Sequence, residues 1–242
     1  MMYRSIHRLA ATAALGLAVA CNSSDNNSTN PTPQTARVRV VNLSPGQASA
    51  GLYANGNLVG SNVSFGSAGT TCFDVPVGQT LSFRGAGSTT DLTSNASAGL
   101  QAGQKYTIVL RGSGAQATST ILSDATLGTA TTGNNSLRFF NGTGTAGDVW
   151  VTTSGGATTG SPTVSNLGAG VSTTGGTMWT SVPNTATQVR MWNTGTTTGT
   201  PRVTTTISSG NLSSSGVGTV FLTESNIAGS TTNASVVAAP CT

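Results

Sequence analysis

Side chains able to do chemistry are few in this 242-residue sequence, and most of them stand alone. The only histidine is His7, close to the N-terminus. The acids are Asp25, Asp74, Asp91, Asp124, Asp148 and Glu224, widely spaced along the chain. Glycoside hydrolysis needs two carboxylates facing each other, and no motif pairs any two of these. They read as solvated acids in turns. No Asp-x-Asp-x-Asp-Gly loop offers a calcium site. Two glycine patterns also fail. Gly142-Thr143-Gly144-Thr145-Ala146-Gly147 satisfies G-x-G-x-x-G, but a dinucleotide site needs a helix to begin there. The next residues, Asp148-Val149-Trp150-Val151, read as a strand instead. Gly112-Ser113-Gly114 leads likewise into Thr118 to Leu122 with no helical pattern. With 32 glycines such matches arise by composition alone, and the N-x-Ser/Thr sequons at Asn42, Asn62 and Asn95 are read the same way.

The cysteines, Cys21, Cys72 and Cys241, carry more information. Ahead of Cys21, residues 1–8 hold Arg4 and Arg8 and no acid, and residues 9–19 are a run of Leu, Ala, Thr, Gly and Val. That run is too short to span a bilayer, which takes about 20 apolar residues. It has the layout of an export signal. Leu17-Ala18-Val19-Ala20-Cys21 resembles the bacterial lipobox, in which the thiol is diacylated and the chain cut before it. Ala18-Val19-Ala20 also fits plain secretion. Lipidation of Cys21 is the expectation, with residues 1–20 as signal peptide and 21–35 as a polar, flexible spacer. Asn22, where inner-membrane lipoproteins carry Asp, favours the outer membrane by the same resemblance.

Removing residues 1–20 takes away His7, Arg4 and Arg8, leaving eight basic and six acidic residues and lowering the net charge from +4 to +2. Without histidine, Ser-His-Asp and Cys-His catalysis and His-based zinc sites are excluded. No basic cluster remains for nucleic acid. The chain is expected to be no enzyme, to need no cofactor or metal, and to meet the membrane through its lipid and a glycan or envelope protein as partner. Cys72 and Cys241 remain as an even pair, which an oxidising compartment invites to bridge. Two independent thiols, one buried and one on a frayed tail, are the alternative.

An internal repeat organises the rest. Val38-Arg39-Val40-Val41-Asn42 matches Leu137-Arg138-Phe139-Phe140-Asn141. Asp74-Val75-Pro76 matches Ser181-Val182-Pro183, and Thr107-Ile108-Val109-Leu110 matches Thr219-Val220-Phe221-Leu222. The offset grows from about 99 to 112 residues, as loop insertions would make it. Apolar and polar residues alternate in short segments such as Val38-Arg39-Val40 and Leu81-Ser82-Phe83, giving one buried and one wetter face. Asn55-Gly56 between apolar flanks predicts a type I′ hairpin, whose two central residues need positive φ. The fold is expected to be all-β: two tandem antiparallel β-sandwich units, immunoglobulin-like or transthyretin-like in outline. Unit one spans residues 36–124, a linker 125–135, and unit two with a C-terminal tail 136–242, including one more strand near 234–239.

Val38-Arg39-Val40-Val41-Asn42-Leu43-Ser44-Pro45, the Asn55-Gly56 hairpin, Val75-Pro76-Val77-Gly78 and Ala102-Gly103-Gln104-Lys105-Tyr106-Thr107 resemble the DUF4397 domain. That family is found in exported bacterial proteins, often as tandem copies; the resemblance implies β-sandwiches and assigns no catalytic residues. The second unit carries it weakly, with Gly142-Thr143-Gly144 in place of Leu43-Ser44-Pro45. All three tryptophans fall in unit two. Trp150 aligns with Tyr53. If Val189 and Met191 point inward, Trp192 points outward, and Trp179 is also placed outward by the repeat. Exposed Trp179 and Trp192 are thus the candidates for stacking a sugar ring or docking a partner.

Overall fold

The structure, a computed structural model, describes residues 34–95, 99–173, 179–224 and 235–241. The first half supplies β1 (Thr35–Leu43), β2 (Ser49–Ala54), β3 (Asn57–Ser64), β4 (Ser67–Ala68) and β5 (Phe73–Pro76). It continues with β6 (Leu81–Gly85), β7 (Thr93–Asn95), β8 (Lys105–Arg111) and β9 (Thr118–Ser123). The second half supplies β10 (Asn134–Asn141), β11 (Gly147–Thr152), β12 (Val164–Leu167), β13 (Thr180–Pro183) and β14 (Gln188–Asn193). It closes with β15 (Val203–Thr206), β16 (Val217–Leu222) and β17 (Val236–Ala238).

These strands form four sheets. The first half folds into β4-β1-β8-β9, with β5 also paired to β1, and β3-β2-β6-β7. The second half takes the same path as β13-β10-β16-β17 and β12-β11-β14-β15. Each half is a sandwich with its own core. Val38, Val40, Ile108 and Leu110 meet Leu52, Leu81 and Phe83 in the first. Leu137, Phe139, Val220 and Leu222 meet Val149, Val189 and Met191 in the second. The Asn-Gly hairpin is present, with φ of 45° at Asn55 and 82° at Gly56, and it joins β2 to β3.

Two expectations need correction. The sandwiches are not purely antiparallel: β1 pairs with β8, and β10 with β16, in parallel. Parallel neighbours require a crossover connection, and in each half the strands of the outer sheet supply it. Nor do the inner sheets keep a wet face. A third apolar cluster joins Val41, Leu43, Val109 and Leu122 of the first half to Phe140, Phe221 and Ala238 of the second. Phe140 and Phe221 lie with ring centroids 5.9 Å apart inside it. The two inner sheets therefore pack back to back, and the halves belong to one compact unit. The doublets Val40-Val41 and Phe139-Phe140, and the runs Ile108-Val109-Leu110 and Val220-Phe221-Leu222, are the sequence signature of strands buried on both faces.

Candidate functional site: the seam between the sandwiches

Two arginines enter the seam at matching places of the inner sheets. Arg39 on β1 lies beside Thr107 of β8, and Arg138 on β10 lies beside Thr219 of β16. The strand pairing thus places Arg39 and Arg138 at equivalent positions of the two inner sheets. Each reaches across to a backbone carbonyl in the other sandwich. Arg138 Nη1 donates to Ser123 O at 2.8 Å, and Arg39 Nη1 donates to Ala239 O. Opposite Thr107 stands Leu122 and opposite Thr219 stands Ala238, so Ser123 and Ala239 are equivalent as well.

Beyond those carbonyls the two sides diverge. The residue after Ser123 is Asp124; the residue after Ala239 is Pro240. Asp124 Oδ1 accepts from Arg138 Nη2 at 2.6 Å, and its Oδ2 accepts from the Thr107 hydroxyl at 2.7 Å. Arg138 Nε donates to the Thr219 hydroxyl at 3.0 Å, and its guanidinium lies 5.1 Å from the Trp179 ring. The ion pair is sealed, with Arg138 2% and Asp124 1% exposed. The reading of Asp124 as a solvated turn acid is therefore wrong. It is committed to the seam, far from a role as half of a carboxylate pair. Asp74 is exposed and lies 3.9 Å from Arg37.

Arg39 has no such acid. Its Nη2 reaches Cys72 Sγ at 3.8 Å, and its Nε has no hydrogen-bond partner. Burial pulls its pKa below the usual arginine value, and the field of Asp124 opposes that only in part. Cys72 and Cys241 are disulfide-bonded beside it, with Cα atoms 6.0 Å apart at a sequence separation of 169. The bridge fastens the chain after β17 to the segment before β5, and the Cys241 N–H faces Asp124 Oδ2 at 3.5 Å. Next to it lies a cleft of about 500 Å³, walled by Arg39, residues 66–70, Thr205, Thr206, Asn211 and residues 235–239.

The tryptophans fall differently from expectation. Trp192 is only 4% exposed, so its ring is not free for stacking. It does lie on the outer face of its sheet, with Arg190 5.3 Å from its ring, but that face is covered. The segment after β11 folds back over the same face, where Gly156 O accepts from Arg190 Nη2. Trp150, across from Arg190, is covered too. Trp179 is half-buried. Its Nε1 donates to Thr126 O at 3.0 Å, which pins the segment between the two sandwiches against the second. Its ring also borders a groove with Thr163, Val164, Ser165, Thr173 and Thr180. Cys21 and the whole anchor segment lie outside the described residues.

No group of three or more His, Cys, Asp or Glu side chains that could hold a metal occurs among the described residues. The match to known families falls across this seam. Residues 36–152 are a DUF4397 domain. The family is described only as a domain of unknown function. The DUF4397 match runs from β1 through the whole first sandwich and ends with β11, so it includes both Arg39 and Arg138 and Asp124 between them. No curated protein matches the chain.

The seam was only half legible in the sequence. The repeat aligned the two arginines, but nothing local announced that Asp124 serves Arg138. The mismatch of Asp124 with Pro240, read off the strand pairing, is the signal that sequence alignment alone did not supply.

Proposed function

We propose that this chain is a lipid-anchored cell-envelope protein whose DUF4397 domain and second sandwich form a non-catalytic structural or interaction module. The observation that carries this reading is the Cys72–Cys241 bridge, because structural disulfides persist in oxidising compartments outside the cytosol. The signal-like residues 1–20 and the lipobox-like Leu17-Ala18-Val19-Ala20-Cys21 support export and anchoring. Asn22 supports the outer membrane. The commitment of Asp124 to Arg138, and of Asp148 to the backbone N–H groups of Asn166 and Gly195, supports a scaffold over an enzyme. Acyl labelling of wild type against Cys21→Ser tests the anchor. Label and membrane fractionation lost together in the variant is the expected result, and an unlabelled wild type in the soluble fraction overturns it.

The second sandwich is best read as a diverged second DUF4397 copy. Asn42 and Asn141 support this. Each side-chain amide donates to one loop carbonyl and one strand carbonyl, Gln47 and Val63 for Asn42, Thr145 and Leu167 for Asn141. Each amide oxygen accepts the N–H two residues on, from Ser44 and Thr143. An experimental structure in which the two asparagines do not coincide when the sandwiches are superposed would overturn the duplication.

A second reading is carbohydrate binding through Trp179, favoured by its half-exposed ring beside the hydroxyls of Thr163, Ser165 and Thr180. Indole faces stack on sugar rings while hydroxyls exchange hydrogen bonds with them. Glycan-array binding lost in a folded, disulfide-bonded Trp179→Ala variant is expected. Unchanged binding, or none by the wild type, removes this reading.

A further inference from the structure

At their equivalent positions on the inner sheets, Arg39 and Arg138 have a single carboxylate between them, that of Asp124. Arg138 has Asp124, with every nitrogen of its guanidinium engaged. Arg39 occupies the equivalent place, and where its acid should stand the chain has Pro240, which carries neither charge nor N–H. No ion pair to Arg39 within 4.0 Å occurs among the described residues, and its Nε is buried without a partner. An unpaired, half-buried cation is a costly feature for a protein to keep. It also opens on space that Arg138 lacks, the cleft of about 500 Å³. Ser67, Thr70, Thr205, Thr206, Asn211 and Ser235 are among the residues that line it, and the Ser235 hydroxyl is likewise buried without a partner.

We propose that this cleft is a binding site for a small carboxylate-bearing ligand, whose carboxylate takes at Arg39 the place that Asp124 takes at Arg138. A carboxylate suits the single uncompensated charge and the planar guanidinium, which binds it through paired N–H donors. The hydroxyl-rich wall favours a polyhydroxy acid such as a uronic sugar, and a peptide C-terminus presents the same carboxylate. The site is separate from the Trp179 groove and does not depend on it.

The test uses the oxidised protein with its cysteine bridge intact and labelled at arginine nitrogen. Galacturonate and N-acetylalanine are titrated while the Nε–H resonances of Arg39 and Arg138 are monitored, with galactose and N-acetylalanine amide as neutral controls. The expected result is saturable movement of the Arg39 signal with an acid, none at Arg138, and no response to the neutral analogues. Galacturonate binding more tightly assigns the sugar acid, and N-acetylalanine binding more tightly assigns the peptide terminus. Arg39→Met should weaken binding by about tenfold or more, as loss of a charge-assisted contact does. Pro240→Asp, which supplies an internal carboxylate at the equivalent place, should abolish it while the bridge remains formed. Silence of the Arg39 signal with both acids, equal response to the neutral analogues, or undiminished affinity in Arg39→Met overturns the proposal.

Discussion

Arg39 and Arg138 stand at the same position of two sheets built on the same path, yet one is locked into a complete network and the other is left half-buried without an acid. On the Arg138 side the seam is closed by side-chain electrostatics: Asp124, Thr107 and Thr219, with the Trp179 ring alongside. On the Arg39 side it is closed by a covalent bond, Cys72–Cys241, and beside that bond a cleft stays open. The difference teaches that two sandwiches of the same strand path can use one equivalent position differently. Arg138 closes the seam through a buried ion pair. Arg39 meets only a carbonyl and a cysteine sulfur beside an open cleft.

The comparison breaks most severely at Asp124. Asp124→Asn removes the charge that Arg138 answers and leaves both seam arginines unpaired, so a loss of about 3–5 kcal/mol in chemical denaturation is expected. The paired substitution Cys72→Ser with Cys241→Ser attacks the other side. It should cost about 2–5 kcal/mol, the usual range for a native bridge, and proteolysis should then cut first after β17. Trp179→Ala, which strips the aromatic cover from Arg138 and frees the segment around Thr126, should cost about 1–2 kcal/mol by loss of the cation–π contact and the indole hydrogen bond. The smallest effect is expected at the exposed pair Arg84–Asp91, which serves as the solvated control for Arg138–Asp124. Hydrogen bonds from Arg84 and Ser82 hold the Asp91 carboxyl below its ordinary pKa. A carboxyl lowered on folding stabilises above the unfolded-state pKa, and that contribution disappears as pH falls through the lowered folded value. Asp91→Asn should therefore lower stability slightly at neutral pH, with the difference from wild type vanishing as pH falls through the acid limb.

The sequence made the framework readable because its signals are local. Asn55-Gly56 can form only a tight hairpin between its apolar flanks, and the residues around Arg39 and Arg138 align by eye. The pairing of Cys72 with Cys241 is legible in the export-like N-terminus and the even count that remains after Cys21. The parallel pairing of β1 with β8 was not readable, since alternation says which face is buried and not which strand lies alongside. Burial of both faces of the inner sheets was written in Val40-Val41 and Phe139-Phe140, but a wet outer face was assumed. The same assumption misplaced Trp192. It does leave the inward face as its phase requires, but its ring is buried there beside Arg190. Asp124 looked like a turn acid because its partner, 14 residues on, lies in the other sandwich.

The central claim is that equivalent arginines do unequal work at the seam, and one pair of unfolding curves tests it. Arg138→Met and Arg39→Met should be compared by denaturant unfolding in the oxidised protein at neutral pH. Arg138→Met abandons buried Asp124 and should lose about 3–5 kcal/mol, while Arg39→Met removes an uncompensated charge and should stay within about 1 kcal/mol of wild type. Equal losses at the two positions would contradict the account.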